Sequence, residues 1–376
     1  MSGSIADIVD RYDPNQPLTH ASTIPAPWYV DPRIAELERR TVFSLSWQMA
    51  GRTGQVRDAG RYLTAEIAGE PIVVVRGDDG ILRAFFNVCR HHAAAVMTEA
   101  EGHARHLQCP YHGWTYALDG SLVATPQFAG VRDFDPAKNG LAPLAVTTWE
   151  EWVFVRLAGG DASLSGVVSP SLTEHTRPLR FSTLRWMERR SYLLDCNWKV
   201  FVDNYLDGGY HVAHLHKGLD SVLTPGRYRI EAGDRFCVQS SPLAAATSAA
   251  ADARTASVRS GDCAYYFWLY PNFMINWYQG VMDTNLVVPR GSDRTEVIFD
   301  YFFADVADES RSRNRASIAV SETIQAEDAA ICNSVQRGLR SRSYNAGRLS
   351  VRREAGAHLF HRLLHADLSA RGGVTG

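Results

Sequence analysis

From Trp47 to Leu157 short apolar runs alternate with turn signals. Pro71-Ile72-Val73-Val74-Val75-Arg76 is followed by Gly77-Asp78-Asp79-Gly80 and then by Ile81-Leu82-Arg83-Ala84-Phe85-Phe86. The repeated strand-turn-strand pattern predicts a small β-domain. Beyond residue 216 strand-like runs dominate again, notably Tyr265 to Tyr270, Phe273 to Tyr278 and Thr295 to Phe303, with Asn285 to Val288 between the last two. They predict an antiparallel sheet with an aromatic face, and Arg185 to Leu194 predicts an early strand of the same domain. Helical spacing marks Pro32 to Ser44 (Ile34, Leu37, Phe43), about Asp308 to Leu339 (Ile324, Ile331, Val335, Leu339) and a short stretch around Leu359 to Leu368. Prolines at 14, 17, 25, 27 and 32 make the start an arm. The breaker cluster Ala158-Gly159-Gly160-Asp161 and a polar, Ser-rich connection mark a boundary. The expected class is α+β: an arm and helix (1–45) packing on the larger domain, a small all-β domain (46–157), and a larger domain (158–376) with an antiparallel sheet flanked by helices.

At 376 residues the chain can bury a core of two domains. With 39 basic and 41 acidic residues the net charge is −2, which implies neither nucleic acid nor an acidic membrane surface as partner. The first ten residues have no secretory pattern, and no apolar run approaches a membrane span. Six cysteines are too scattered for a disulfide framework. A cytoplasmic protein is expected.

Two of those cysteines sit in Cys89-Arg90-His91 and Cys109-Pro110-Tyr111-His112-Gly113-Trp114. A Cys₂His₂ zinc site could use them, although zinc fingers usually pair Cys with Cys and His with His. In a Rieske [2Fe–2S] centre two thiolates bind one iron and two imidazoles the other, so one Cys and one His from each of two loops is the expected supply. His92 is assigned a surface or supporting role; His103 and His106 read as exposed loop histidines.

The residues from Asn197 to His216 gather His211, His214 and His216 with Asp203 and Asp207. Two imidazoles and one carboxylate on one face suit divalent iron and leave positions open for dioxygen and substrate. On a straight helix His211 and His214 share a face, whereas His211 and His216 stand about 140° apart; spacing alone favours the first pair unless the helix is distorted. Asp328 lies on the apolar stripe of its predicted helix, where a carboxylate must be paired or bind metal. It is the candidate third ligand, with Glu327 competing.

The Rieske motif, together with Asn197-Trp198-Lys199, Asp203 to His211 and a second histidine five residues on, resembles the catalytic subunits of Rieske non-haem iron oxygenases. Asp203 to His211, Met282 to Pro289 and Ser334 to Leu339 are similar to the choline-monooxygenase type. The resemblance implies a [2Fe–2S] cluster on Cys89, His91, Cys109 and His112 and mononuclear Fe(II) on His211, His216 and Asp328, with His214 not a ligand. It implies that Asp207 bridges the cluster of one subunit and the iron of its neighbour in a homotrimer. In many relatives the bridging acid stands three residues before the first histidine and here it stands four before, so Asp203 is the reserve. Electrons from NAD(P)H would arrive through a separate reductase, with or without a ferredoxin, because no GxGxxG signature occurs in the chain.

The activity implied is O₂-dependent hydroxylation or N-demethylation of a quaternary ammonium compound such as choline or a betaine. Trp268, Tyr270, Trp277 and Tyr278 are the aromatic candidates for holding the cation. An aromatic-ring dioxygenase, and a Rieske electron carrier or zinc protein without oxygenase chemistry, are the alternatives.

Overall fold

The computed structural model describes residues 4–158, 163–224, 226–244 and 252–370. Two compact units form, one of residues 39–165 and one of residues 1–38 with 166–376. Gly159, Gly160 and Asp161 of the expected breaker cluster lie outside the described residues.

The smaller unit contains β1 (Gln48–Arg52), β2 (Arg61–Ile67), β3 (Glu70–Arg76), β4 (Leu82–Phe86), β5 (Glu101–His103), β6 (Leu107–Gln108), β7 (Thr115–Tyr116), β8 (Leu122–Ala124), β9 (Pro143–Trp149) and β10 (Trp152–Arg156). Seven of them form a sheet in the order β1-β10-β9-β4-β3-β2-β5, and β6-β7-β8 form a second. Ala68 and Gly69, both at positive φ, turn β2 back on β3 as a two-residue hairpin loop requires. Strand β3 is apolar and buried from Ile72 to Val75 because both its faces are covered there. Ile72 and Val74 pack with Val153 and Val155, while Val73 and Val75 pack with Cys89, Cys109, Trp114 and Tyr116. One strand thus supports both Cys/His loops from beneath.

The larger unit opens with α1 (Ile5–Val9), α2 (Pro27–Val30) and α3 (Pro32–Glu38). The helix expected over Pro32 to Ser44 stops being α-helical at Glu38, and Arg39–Phe43 is a π-helical turn. Ser44 stabilises that wider turn by donating both its amide and its hydroxyl to the carbonyl of Arg39, five residues back. After α4 (Pro170–Thr176) come β11 (Arg185–Leu194), α5 (Trp198–Tyr205), α6 (Val212–Leu215), α7 (Lys217–Asp220), β12 (Arg229–Ala232), β13 (Phe236–Pro242), α8 (Ala253–Ala256), β14 (Cys263–Leu269), β15 (Phe273–Tyr278), β16 (Val281–Pro289), β17 (Thr295–Phe303), α9 (Arg311–Leu339) and α10 (Ala355–Ser369). The sheet is antiparallel, in the order β11-β17-β16-β15-β14-β13-β12.

Register places Gln239, Tyr266, Asn276, Asp283 and Tyr301 in one row across five strands, on one face. Helix α5 contacts β16 and α9. It is tied to the arm by a fully buried ion pair, Lys199 Nζ to Glu38 Oε1 at 2.6 Å, while Trp198 Nε1 donates to the other Glu38 oxygen at 2.8 Å. Among the described residues no helix is long and apolar enough to cross a membrane.

Candidate metal centres

The two Cys/His loops of the smaller unit are built alike. Cys89 donates its amide to Ala94 O and accepts from Ala93 N; Cys109 donates to Trp114 O and accepts from Gly113 N. The fourth residue after each cysteine, Ala93 or Gly113, has positive φ, which turns the loop back over its cysteine. Both cysteines are buried, and Tyr116 Oη reaches Cys89 Sγ at 3.4 Å and accepts the Arg90 amide at 2.9 Å. The His91 and His112 rings lie 4.7 Å apart, and His91 stacks flat on Trp114. Nδ1 of His91 is buried with no hydrogen-bond partner. An orphaned buried acceptor beside two buried thiols is what a metal-binding set leaves when described by its protein atoms alone. The set fits a two-iron cluster better than one ion: among the described residues the one group able to hold a single ion lies in the other unit. His92 is exposed with its ring 4.1 Å from His91, and His103 and His106 are exposed.

That other group is His211, His216 and Asp328, whose ligand atoms all lie within 4.8 Å of one another. Helix α5 ends at Tyr205, and the chain then turns through Gly208 and Gly209, both at positive φ. A Cβ on Gly208 would lie 2.1 Å from the Arg353 carbonyl oxygen, so the turn admits only glycine. His211 caps the four-residue α6, and His216, at φ −107° and ψ 66°, sits in the break before α7. The straight-helix spacing that favoured His211 with His214 therefore does not apply. The break rotates His216 beside His211, with rings 4.8 Å apart, and leaves His214 exposed outside the group.

Each imidazole is held by a second carboxylate. Asp207 Oδ2 lies 2.6 Å from His211 Nδ1 and accepts the His211 amide at 3.0 Å. Glu327 Oε2 lies 2.6 Å from His216 Nδ1. Each Nδ1 lies against a carboxylate that can hold its proton, and each Nε2 is directed at Asp328 Oδ1, at 3.0 Å for His216 and 3.9 Å for His211, while Asn204 Nδ2 donates to the same oxygen at 2.7 Å. Two imidazole nitrogens and a carboxylate oxygen converging at such distances need a proton or a metal cation among them, and three such donors within 4.8 Å of one another fit a divalent metal. Asp203 is not part of this arrangement: it accepts from Tyr29 Oη at 2.5 Å and pairs with His361 Nε2 at 2.8 Å.

The three residues open onto a cavity whose floor is Gln239, Tyr266, Asn276 and Asp283 of the sheet row and whose walls include Tyr228, Tyr278, Arg259 and Phe299. Of the four aromatic residues expected to face substrate, Tyr278 lines it. Trp277 is on the other face of β15, its ring against Tyr265, because strand side chains alternate. Trp268 is on the cavity face but one row along, where Phe360 of α10 covers it. Tyr270 is fully buried with its hydroxyl on Asp367 of the same helix. Tyr228 and Tyr266, stacked on one another, are the lining aromatics that sequence reading missed. Alternation along β14 was the available signal for Tyr266. Asp283 is buried among Asn276 and Asn285, and burial raises its carboxyl above the usual range.

Known proteins resemble the chain along nearly all of its length. Residues 46–135 match the Rieske [2Fe-2S] domain, and residues 181–370 match the ring hydroxylating alpha subunit (catalytic domain). Chloroplastic choline monooxygenase of Arabidopsis thaliana is 37% identical over 374 residues, covering 97% of this chain and 87% of that protein. The carnitine monooxygenase oxygenase subunit of Escherichia coli K12 is 31% identical over 360 residues, covering 92% and 93%. The crystal structure of a quaternary ammonium Rieske monooxygenase with its substrate L-carnitine superposes with a TM-score of 0.81 at 25% identity, covering 98% and 99%. Sequence, fold and donor sets agree: the chain belongs to the Rieske non-haem iron oxygenases, O₂-dependent oxidoreductases that carry a Rieske [2Fe–2S] cluster and a mononuclear iron.

Proposed function

We propose that the chain is the oxygenase component of a monooxygenase that hydroxylates or N-demethylates a quaternary ammonium compound. The observation carrying this reading is a buried carboxylate, Asp283, set among tyrosines on the floor of the cavity that His211, His216 and Asp328 face. A cation without N–H donors is held by aromatic faces and by charge: the tyrosines supply the faces, and a bound cation would favour the ionised form of Asp283 that burial otherwise disfavours. The named activities of the relatives point the same way.

In this reading Cys89, His91, Cys109 and His112 hold the cluster within a domain of residues 46–157, and His211, His216 and Asp328 hold the iron within residues 158–376. When bound, the pair supplies dioxygen activation fed by single electrons. Asp207 and Glu327 fix the two imidazoles by holding their Nδ1 protons, which keeps Nε2 directed at the metal position. Asp207 also takes the bridging role between subunits of a homotrimer, with electrons from NAD(P)H through a separate reductase. Six free cysteines suit the reducing cytoplasm. In the net reaction one oxygen atom enters a C–H bond and the other leaves as water; insertion at an N-methyl group releases formaldehyde.

Oxygen uptake with a surrogate reductase, across a panel of quaternary amines and small aromatics, tests the reading. Uptake with amines alone is expected, and a formaldehyde assay separates demethylation from hydroxylation. A cis-diol from an aromatic, with no response to amines, would overturn it.

A further inference from the structure

Arg259 is a buried cation whose close partners among the described residues are all neutral. It is only 5% exposed and lines the cavity. Nη1 donates to Ser317 Oγ at 2.5 Å and Nη2 to Ser321 Oγ at 2.7 Å, both neutral groups, and the guanidinium lies 4.8 Å above the Tyr278 ring. Its Nε is buried with no hydrogen-bond partner. Asp283, on the same cavity, has its carboxylate engaged by Asn276 Nδ2 at 2.7 Å and Asn285 Nδ2 at 3.2 Å. No carboxylate among the described residues forms an ion pair with Arg259. A buried guanidinium with an open donor, and with only the longer-range attraction of Asp283 in place of an ion pair, gains from an anion that docks on it.

The position of Arg259 says which end of a ligand it meets. Ser321, Ile324, Gln325 and Asp328 follow the i, i+3, i+4, i+7 pattern along α9 and all line the cavity. Arg259 is anchored on the first of them and the iron-ligand candidate is the last, about 10 Å away along the helix axis. Tyr266, Tyr278 and Asp283 of the sheet line the same cavity, the Tyr278 ring lying beneath the guanidinium. The cavity therefore carries a positive group at one end and a cation-receptive surface along its side.

We propose that Arg259 binds a carboxylate of the substrate, so that the substrate is a zwitterion carrying a quaternary ammonium group and a carboxylate in one small molecule. The simple cation choline lacks the second group. This inference rests on the quaternary ammonium reading and narrows it. A planar guanidinium matches a carboxylate and would hold the acid end away from the metal, leaving the ammonium end to reach it.

The test uses the intact holoenzyme with four probes: glycine betaine, L-carnitine, choline, and glycine betaine methyl ester, which keeps the ammonium and removes the negative charge. Wild-type KM and calorimetric affinity should favour the two zwitterions over choline and the ester by roughly 10- to 100-fold, the effect of a charge-assisted hydrogen bond. In Arg259→Gln the KM for glycine betaine rises by a similar factor with kcat little changed, the KM for the ester stays where it was, and Arg259→Lys recovers part of the loss. The wild-type comparison of betaine with its ester holds even if the Gln variant misfolds. Equal affinity for ester and zwitterion would overturn the role of Arg259 while leaving the quaternary ammonium reading intact. Absence of binding and turnover with all four would overturn that reading itself.

Discussion

Consecutive residues of one helix hold the two nitrogens of one imidazole: Glu327 Oε2 lies 2.6 Å from His216 Nδ1 and Asp328 Oδ1 lies 3.0 Å from its Nε2. The two carboxylates that compete in the sequence are thus divided in space. Asp328 faces the proposed metal position, and Glu327 stands behind the ring, where it can hold its tautomer and orientation.

Glu327→Ala should therefore weaken iron retention about 10- to 100-fold while the [2Fe–2S] absorbance stays unchanged. Competition with an Fe(II) chelator reads this directly. An unaltered iron affinity would show that the carboxylate behind His216 does not support a ligand.

Asp207 and Asp203 separate in the same way. Asp207 bonds both the amide and the ring of His211, whereas Asp203 is taken by Tyr29 and His361. Asp207→Asn should abolish reductase-coupled oxygen uptake with iron still bound and the cluster still reducible by dithionite. Asp203→Asn should keep most of that uptake. The reverse ranking would move the bridging role to Asp203.

The buried Lys199–Glu38 pair makes a stability prediction. Lys199→Met leaves the Glu38 carboxylate buried with Trp198 as its remaining donor, at a cost of about 3–5 kcal/mol. Removing both charges, as in Lys199→Met with Glu38→Gln, should recover much of it. Chemical denaturation of the two variants measures the difference, and equal losses in single and double variants would contradict the account.

Asp283 carries a pH signature. Desolvation raises its carboxyl above the unfolded value, opposed by Arg259 and by hydrogen bonds from Asn276 and Asn285. A raised folded pKa means that the proton is held more tightly in the folded state. The penalty for ionising Asp283 is therefore absent below the ordinary carboxylate range and grows as pH rises through the folded pKa. Asp283→Asn should raise the thermal midpoint at about pH 8, with the gain shrinking towards about pH 5, while weakening quaternary amine binding. A gain independent of pH would show that the carboxyl is not raised.

The sheet and its helices were legible because β14, β15 and β17 are long apolar runs and α9 carries a clear helical stripe. The Cys/His loops were legible because their donors are close in sequence. The His211–His216 pairing was legible only through the family resemblance, since it depends on a helix break at His216 that neither propensity nor spacing announces. Trp268 and Tyr270 were misplaced for a tertiary reason: α10, more than eighty residues downstream, covers that end of the sheet. Arg259 carried no local signal at all, because its partners Ser317 and Ser321 reach it only through the packing of α9.

The most direct test of the central claim is the iron content of Asp328→Ala beside that of the wild-type protein, both with the visible spectrum of the cluster recorded. The wild type should hold about three irons per chain and the variant about two, with an unchanged cluster spectrum and no substrate-dependent oxygen uptake. About three irons in the variant, or uptake that survives the substitution, would contradict the assignment of His211, His216 and Asp328 as the catalytic metal site.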